Sequence, residues 1–286
     1  PTPEMSIEAS VAGDDSEIAE APATRPETPI PDDSLLPLLQ AEFALRQRDF
    51  NQGLSLLAEQ AVLLEDPALA RRALRLAEFV NDTDQAAMMA VRLVELDPGD
   101  GAAAAAASGW LSRAGRPVDA VYYAQLAFEH GHPVNVATNL GTYDALDEVS
   151  QVAITETIRA IAAQWPEDDQ AAIAASLLAR IEGDLKGAES FILPVLERSP
   201  EDVRAVMLWT QLMLDQDADD PFELLATTVS RYPDNQELRL QYARLLGSEG
   251  NYAGAQAQFV LLLERDPENT ELLSTAALLD FELEYY

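Results

Sequence analysis

The chain has 286 residues, of which 50 are acidic and 18 basic, so its net charge at pH 7 is −32. A surface of this sign repels phosphate, and we therefore expect neither nucleic acid nor an anionic membrane surface as a partner. The sequence contains no cysteine, which excludes disulfides and thiolate metal sites, and no apolar run approaches the roughly 20 residues that span a bilayer.

The first segment, residues 1–33, is proline-rich and acidic. It carries nine acidic residues, one arginine and six prolines, and its few apolar residues show no sustained period. Such a composition cannot bury enough apolar surface to fold, so it predicts a disordered acidic tether. Because the chain starts at Pro1 and not at a methionine, we expect that an upstream segment has been removed.

From residue 34 to residue 286, the sequence is organised by a recurring proline. The intervals between these prolines are 31 to 36 residues long. The prolines are Pro31, Pro67, Pro98, Pro133, Pro166, Pro200, Pro233 and Pro267. A fixed period of about 20–50 residues predicts a stacked array, in which units too small to fold alone share a core with their neighbours.

The unit at residues 236–267 shows how one repeat is built. Leu238 and Leu246 belong to an apolar set at helical spacing, which predicts a first amphipathic helix. Gly250 supplies a turn with left-handed backbone angles. A second helix follows, with Phe259 on its predicted buried face. Each unit is therefore expected to be a pair of antiparallel helices.

The small, aromatic, glycine and proline residues of this unit resemble the tetratricopeptide repeat (TPR). Counted from Gln236, the matching residues are Ala243, Gly250, Tyr252, Ala255, Phe259 and Pro267. The unit from Asp169 matches through Ser176, Gly183, Leu185, Ala188 and Pro200. The resemblance implies an all-α fold, an α-α superhelix of about seven and a half helix-turn-helix repeats in residues 34–286, after the tether of residues 1–33.

Some units depart from the family pattern. The unit from Val136 has Tyr143 where a small residue belongs, and it lacks the glycine turn. In the unit from Val203 the turn is replaced by the acidic residues 215–220, which lack the glycine and glutamate that a calcium loop of the EF-hand type requires. We interpret this run as a solvated turn in which Asp220 caps the next helix. Pro194 lies inside a second helix, where it is expected to cause a kink.

Catalytic and cofactor motifs are not apparent. The sequence has no phosphate-binding loop, nucleophile elbow or dinucleotide fingerprint, so we expect neither an enzyme nor a cofactor. His130 and His132 have no third ligand nearby and make a poor zinc site, and no metal site is predicted. Trp110, Trp165 and Trp209 are interpreted as packing residues.

The resemblance also implies a binding groove. In TPR proteins the concave groove is lined mainly by first helices, at the second, fifth, ninth, twelfth and thirteenth positions. Transferred by register, the groove residues are Arg46, Arg71, Leu74, Glu78, Arg113, Asp144, Arg180, Arg204, Gln211, Arg244 and Glu271. Arginines there suit a peptide with carboxylates, which guanidinium binds bidentately; alternatively, they only solvate a helix face. With Lys186 as the single lysine, the lysine clamp of TPR co-chaperones is not expected.

A narrower resemblance concerns residues 35–50 and 72–79. These strings are similar to bacterial periplasmic TPR lipoproteins that act as adaptors for carboxyl-terminal processing proteases. The resemblance implies a non-catalytic periplasmic adaptor, tethered to the outer membrane, that brings proteins such as cell-wall hydrolases to the protease. Membrane contact is then expected only through an N-terminal lipid anchor that this chain does not contain.

Other interpretations remain open from the sequence. As alternatives, the array suits a cytoplasmic protein or an assembly factor for an envelope machine such as a pilus or secretion complex. It also suits the regulatory arm of a larger protein. The chain ends in apolar, helix-like sequence in the middle of an eighth unit, and we expect the array to continue beyond it.

Overall fold

A computed structural model describes residues 30–285 of the chain, with side chains up to residue 278. Most of the predicted tether, residues 1–29, lies outside the described residues. Within residues 30–285 all regular structure is helical. The α-helices are α1 (Asp32–Arg46), α2 (Phe50–Leu63), α3 (Pro67–Val80), α4 (Thr83–Leu96), α5 (Gly101–Arg113), α6 (Pro117–Glu129), α7 (Glu148–Gln164), α8 (Asp169–Ile181), α9 (Leu185–Arg198), α10 (Val203–Asp215), α11 (Glu223–Arg231), α12 (Gln236–Ser248), α13 (Tyr252–Leu263) and α14 (Thr270–Tyr285).

The helices form successive hairpins, and the predicted all-α solenoid is confirmed. First helices α1, α3, α5, α8, α10 and α12 pair with second helices α2, α4, α6, α9, α11 and α13, and α14 is the first helix of the next unit. No described helix combines the length and the apolar composition that a membrane crossing requires.

The recurring Pro-x-Asp and Pro-x-Asn tags set where the first helices begin. In each, the acidic or amide residue two places after the proline is the N-cap, and its side chain accepts hydrogen bonds from backbone N–H groups of the first turn. These caps are Asp100, Asp168, Asp202 and Asn235. The proline period of the sequence is therefore a period of helix starts.

Turns inside the hairpins need one residue with left-handed backbone angles. Gly115, Gly183 and Gly250 hold this place with φ of 71°, 80° and 78°. In three other hairpins the equivalent residues are Arg48, Asn81 and Asp217, with φ of 62°, 57° and 52°. The hairpin turn is thus kept even where the sequence lacks the glycine.

Small residues allow the two helices of a hairpin to approach closely. Ala243 on α12 and Ala255 on α13 are completely buried, as the sequence predicted. Between hairpins, larger side chains such as Phe259 and Leu262 pack against α14 residues including Leu272. The core is therefore a chain of local clusters along the array.

The fourth unit differs from the others. Two short 3-10 helices, Val136–Leu140 and Tyr143–Ala145, stand where a first α-helix is expected, and α7 follows as the second helix. Val136 and Leu140 are buried against α6, α7 and α8, while Tyr143 shares a 2.8 Å hydrogen bond with Thr155 on α7. The bulky Tyr143 thus occupies the small-residue position because the backbone there forms 3-10 helices. The unit still packs against α6, α7 and α8.

The sixth unit has a shortened second helix. The prediction that Asp220 caps α11 is wrong: α11 begins at Glu223, its N-cap is Phe222, and no side chain caps it. The cause is the connection of residues 216–222, which contains Pro221 and no cap at the required place. In α9, by contrast, the helix continues through Pro194.

Candidate functional site

The first helices follow one another along the array, with the 3-10 helix Val136–Leu140 between α5 and α8, and we call the side that they form the first-helix surface (α1, α3, α5, α8, α10, α12 and α14). Polar side chains connect them from one unit to the next. Arg72 on α3 forms an ion pair with Glu42 on α1, and Arg244 on α12 pairs with Glu271 on α14, 2.9 Å between Nη2 and Oε1. Arg244 and Glu271 are both predicted groove residues, so in this pair the predicted positions of consecutive units meet.

Two further predicted arginines are held in the same way. Nη2 of Arg71 lies 2.7 Å from Oδ2 of Asp100, the N-cap of α5. Arg180 on α8 binds Asp215 at the end of α10 through two bonds, 2.5 Å from Nε to Oδ2 and 3.2 Å from Nη2 to Oδ1. Because each guanidinium already has a carboxylate partner, a carboxylate of a bound peptide has to compete with Asp100 or Asp215.

Arg204 lies at the centre of the surface. Its Nη1 donates to Oε1 of Gln170 on α8, at 2.5 Å, and its Nη2 donates to Oδ2 of Asp202, at 2.9 Å. Burial opposes the ionisation of Asp202, but the hydrogen bonds from Arg204 and from the backbone N–H of Ala205 outweigh it, so the pKa of this carboxyl lies below its usual value. The ion pair therefore holds Arg204 in a fixed orientation.

A cavity of about 210 Å³ opens beside Arg204. Its walls come from three units: Ala137 of the first 3-10 helix, Leu177 of α8, and Gln211 of α10. Since the 3-10 helix replaces a full α-helix here, the central part of the surface has a depression with apolar walls and with Arg204 and Gln211 at its edge.

A second cavity, of about 360 Å³, lies between α3 and α5. Arg71 and Asp100 stand at its polar side, and Leu74 is nearly buried, with 7% of its surface exposed. On α5 the wall consists of alanines, among them Ala102 and Ala106. These small side chains leave room above α5 for an extended peptide or for side chains of a partner.

Trp110 joins two predicted groove residues that are far apart in sequence. Its Nε1 donates to Oε1 of Glu78 at 3.1 Å, and the guanidinium carbon of Arg113 lies 4.6 Å from the centre of its ring. An aromatic ring held by a hydrogen bond and a cation–π contact is pre-organised for binding. The interpretation of Trp110 as a packing residue is therefore incomplete; it contributes to the first-helix surface.

The other tryptophans and the remaining predicted residues lie elsewhere. Trp165 packs against Phe128, 5.2 Å between ring centres, in the core. Arg46 is exposed at the end of α1, near Glu42, whose pKa is lowered mainly by the hydrogen bond from Arg72 and further by the charge of Arg46. Asp144 is exposed on the second 3-10 helix and lines none of the cavities described above.

Of the acidic partners, sequence reasoning placed only Glu271 in the groove. Asp100 and Asp202 were visible only as helix caps, and Asp215 as part of a turn. The pairing depends on how consecutive units are rotated against each other, and one repeat examined alone carries no signal for it. Trp110 was detectable in principle, since it directly follows the ninth groove position of its unit.

A solenoid of helical hairpins with polar and cavity-bearing first helices is typical of protein-binding scaffolds. Residues 212–279 match the model of the tetratricopeptide repeat family. The chain is also 25% identical over 213 residues to the "TPR repeat-containing protein PA4667" of Pseudomonas aeruginosa, covering 74% of this chain and 36% of that protein. Together these similarities support a TPR repeat protein, and the chain spans little more than a third of this relative.

Two solved structures illustrate the structural similarity. PilW, described as a widely conserved type IV pilus biogenesis factor, has a TM-score of 0.44 and 12% identity, covering 73% of this chain and 98% of PilW. A tetratricopeptide repeat protein from Parabacteroides merdae has a TM-score of 0.45 and 10% identity, covering 87% of this chain and 99% of that protein. At these scores neither similarity bears on function.

Proposed function

We propose that this chain is a non-catalytic scaffold that binds a protein or peptide along its first-helix surface. The observation that carries the proposal is the row of polar contacts and cavities on that surface. Arg71 and Arg204 are held beside open depressions by partners from neighbouring units, and Arg180 is held by Asp215 of the next unit. Fixed polar side chains around small apolar depressions give specific binding at little entropic cost.

Within this scaffold role, we assign the chain to the periplasm as an adaptor tethered to the outer membrane. It brings protein substrates such as cell-wall hydrolases to a carboxyl-terminal processing protease. The support for this finer assignment is the resemblance of residues 35–50 and 72–79 to adaptors of that kind. The first of these strings contains most of α1, and the second lies within α3, so both belong to the first two hairpins.

The first-helix surface favours partners that can exchange hydrogen bonds with existing ion pairs. A carboxylate of the partner can bind Arg71 only if it displaces Asp100, and it can bind Arg180 only if it displaces Asp215. An amide of the partner can form a hydrogen bond with either ion pair without breaking it. We therefore expect binding to be only moderately weakened by salt, unlike binding by unpaired cations.

The test is affinity purification of the full-length protein after crosslinking in cells. Neutral substitutions are preferable to charge reversal, because a glutamate at position 180 would also face Asp215. We expect the wild-type protein to retain a carboxyl-terminal processing protease together with a cell-wall hydrolase, and the R71Q/R180Q double variant to retain less of at least one of them.

The matched control is R48Q/R231Q, which removes the same charge from the turn between α1 and α2 and from α11, both outside the first-helix surface. Both arginines are exposed, and neither forms an ion pair in the described part of the chain. Equal losses in both double variants would contradict binding at the first-helix surface. Retention of pilus or secretion subunits in place of the protease would contradict the adaptor assignment while leaving the scaffold role intact.

A further inference from the structure

The shortened helix α11 leaves a gap in the wall of the array. It has 9 residues, whereas the second helices α2, α4, α6, α9 and α13 have 12 to 14. The connection of residues 216–222 passes where the first turns of a full-length helix would pack. In a regular hairpin those turns cover the side of the first helix that faces its partner, and here that side of α10 is left partly open.

A cavity of about 500 Å³ occupies this gap. Trp209 and Met213 form its floor on α10, Leu193 and Leu196 form one wall on α9, and Leu224 contributes the other from α11. The volume falls within the range of about 300–1,000 Å³ that is typical of ligand sites. We call it the α9–α11 cavity.

The α9–α11 cavity is separate from the first-helix surface. Arg204 and Gln211 lie two turns apart on one side of α10, and both line the central depression. Trp209 and Met213, one turn apart, lie on the opposite side of the same helix and line the α9–α11 cavity. A ligand in one of the two sites therefore leaves the other accessible.

The rim of the cavity is acidic. Glu197, Asp220 and Glu223 are exposed around it, and none of the three takes part in an ion pair within the described residues. This differs from the first-helix surface, where Asp100, Asp215 and Glu271 are each paired with an arginine. An apolar floor surrounded by unpaired carboxylates is complementary to an apolar side chain with cations on either side.

We propose that the α9–α11 cavity is a second binding site, which takes a basic segment of a partner protein that presents a leucine or an aromatic residue between lysines or arginines. The apolar side chain enters against Trp209 and Met213, and the flanking cations pair with Glu197, Asp220 and Glu223. This site goes beyond the scaffold role of the first-helix surface, because it selects a positively charged segment and lies on another side of the array.

The test is fluorescence anisotropy with a short labelled peptide in which leucine and phenylalanine alternate with lysine. Wild-type protein is expected to bind it, and the variant E197Q/D220N/E223Q is expected to bind it about tenfold more weakly, as three exposed charge pairs are lost. The control variant E249Q/E264Q/E268Q removes the same charge from exposed positions outside the cavity and is expected to bind like the wild type.

Two further peptides distinguish the contribution of the lysine charges from that of the apolar side chains that enter the cavity. Replacement of the apolar residues by serine, or of the lysines by glutamate, is expected to abolish binding, and the variant L193S should weaken binding of the original peptide. Unfolding curves of all variants establish that the fold is retained.

Several results would overturn the proposal. Equal weakening in both triple variants would show attraction to the overall charge of the chain, and binding of the serine peptide would show that the cavity is not used. A concentration-dependent dimer in sedimentation that excludes the peptide would assign the cavity to a second copy of the chain.

Discussion

At the scale of single residues, the hairpin turns depend on one backbone position with left-handed angles. Glycine holds it at Gly115, Gly183 and Gly250, but Arg48 holds it between α1 and α2 with φ of 62°. A residue with a Cβ atom is strained there by about 1 kcal/mol or more, because Cβ approaches the next carbonyl oxygen.

We therefore predict that R48G stabilises the protein. The expected gain is about 0.5–1 kcal/mol, since relief of the strained angle is partly offset by the greater freedom of glycine in the unfolded chain. The measurement is urea unfolding followed by circular dichroism. The reverse change, G183A, should destabilise by a similar amount, and a loss of stability in R48G would contradict this account of the turn.

A second residue-scale prediction concerns Asp202 and pH. Its pKa is below the usual value in the folded protein, so its contribution to stability is present above the unfolded pKa of about 3.9 and is lost as the pH falls through the lower folded pKa. D202N keeps the helix cap, because asparagine caps as well as aspartate, but it removes the charge that binds Arg204.

We expect D202N to be less stable than the wild type by less than about 1 kcal/mol at pH 7, because the pair is partly exposed. The difference should shrink as the pH falls below about 3.9 and should disappear below the lower folded pKa, where Asp202 becomes neutral in the folded protein as well. Unfolding free energies in urea across this pH range test the prediction, and a difference that does not change with pH would contradict it.

At the scale of elements, the best-predicted part is the hairpin α12–α13, because its helices, turn and close contact all follow from local residue spacing. Two elements were not predictable in this way. The 3-10 helices of the fourth unit depend on packing of Val136 and Leu140 against three other helices, and the late start of α11 depends on a connection without periodic signal. Both departures lie where the structure has a cavity, at the central depression and at the α9–α11 cavity.

Pro194 supports an element-scale prediction. It interrupts the hydrogen bonding of α9, since it has no N–H to donate to the carbonyl of Ser190, and its side chain is exposed. We expect P194A to stabilise the protein by roughly 1–3 kcal/mol, measured by urea unfolding. The control S190A, on the same helix, should change stability by less than about 0.5 kcal/mol. No gain in P194A would mean that packing of the proline ring offsets the missing bond.

At the scale of the whole molecule, the arginines mainly form ion pairs with carboxylates of the same chain. Ten arginines of the described chain are engaged in ion pairs, several of them between consecutive units. Several of the few basic residues of a chain with net charge −32 thus join neighbouring units. The predicted register places its groove residues mainly on first helices, but composition alone did not show that several of these arginines are already paired.

The central claim is that a protein partner binds the first-helix surface, and site-specific photocrosslinking in cells tests it most directly. A photoreactive phenylalanine derivative is placed at Gln211, beside the central depression, and in a separate variant at Tyr122, which is exposed on the second helix α6. The account predicts a discrete crosslinked partner from position 211 and none from position 122. Crosslinking of the same partner from position 122 and not from position 211 would contradict it.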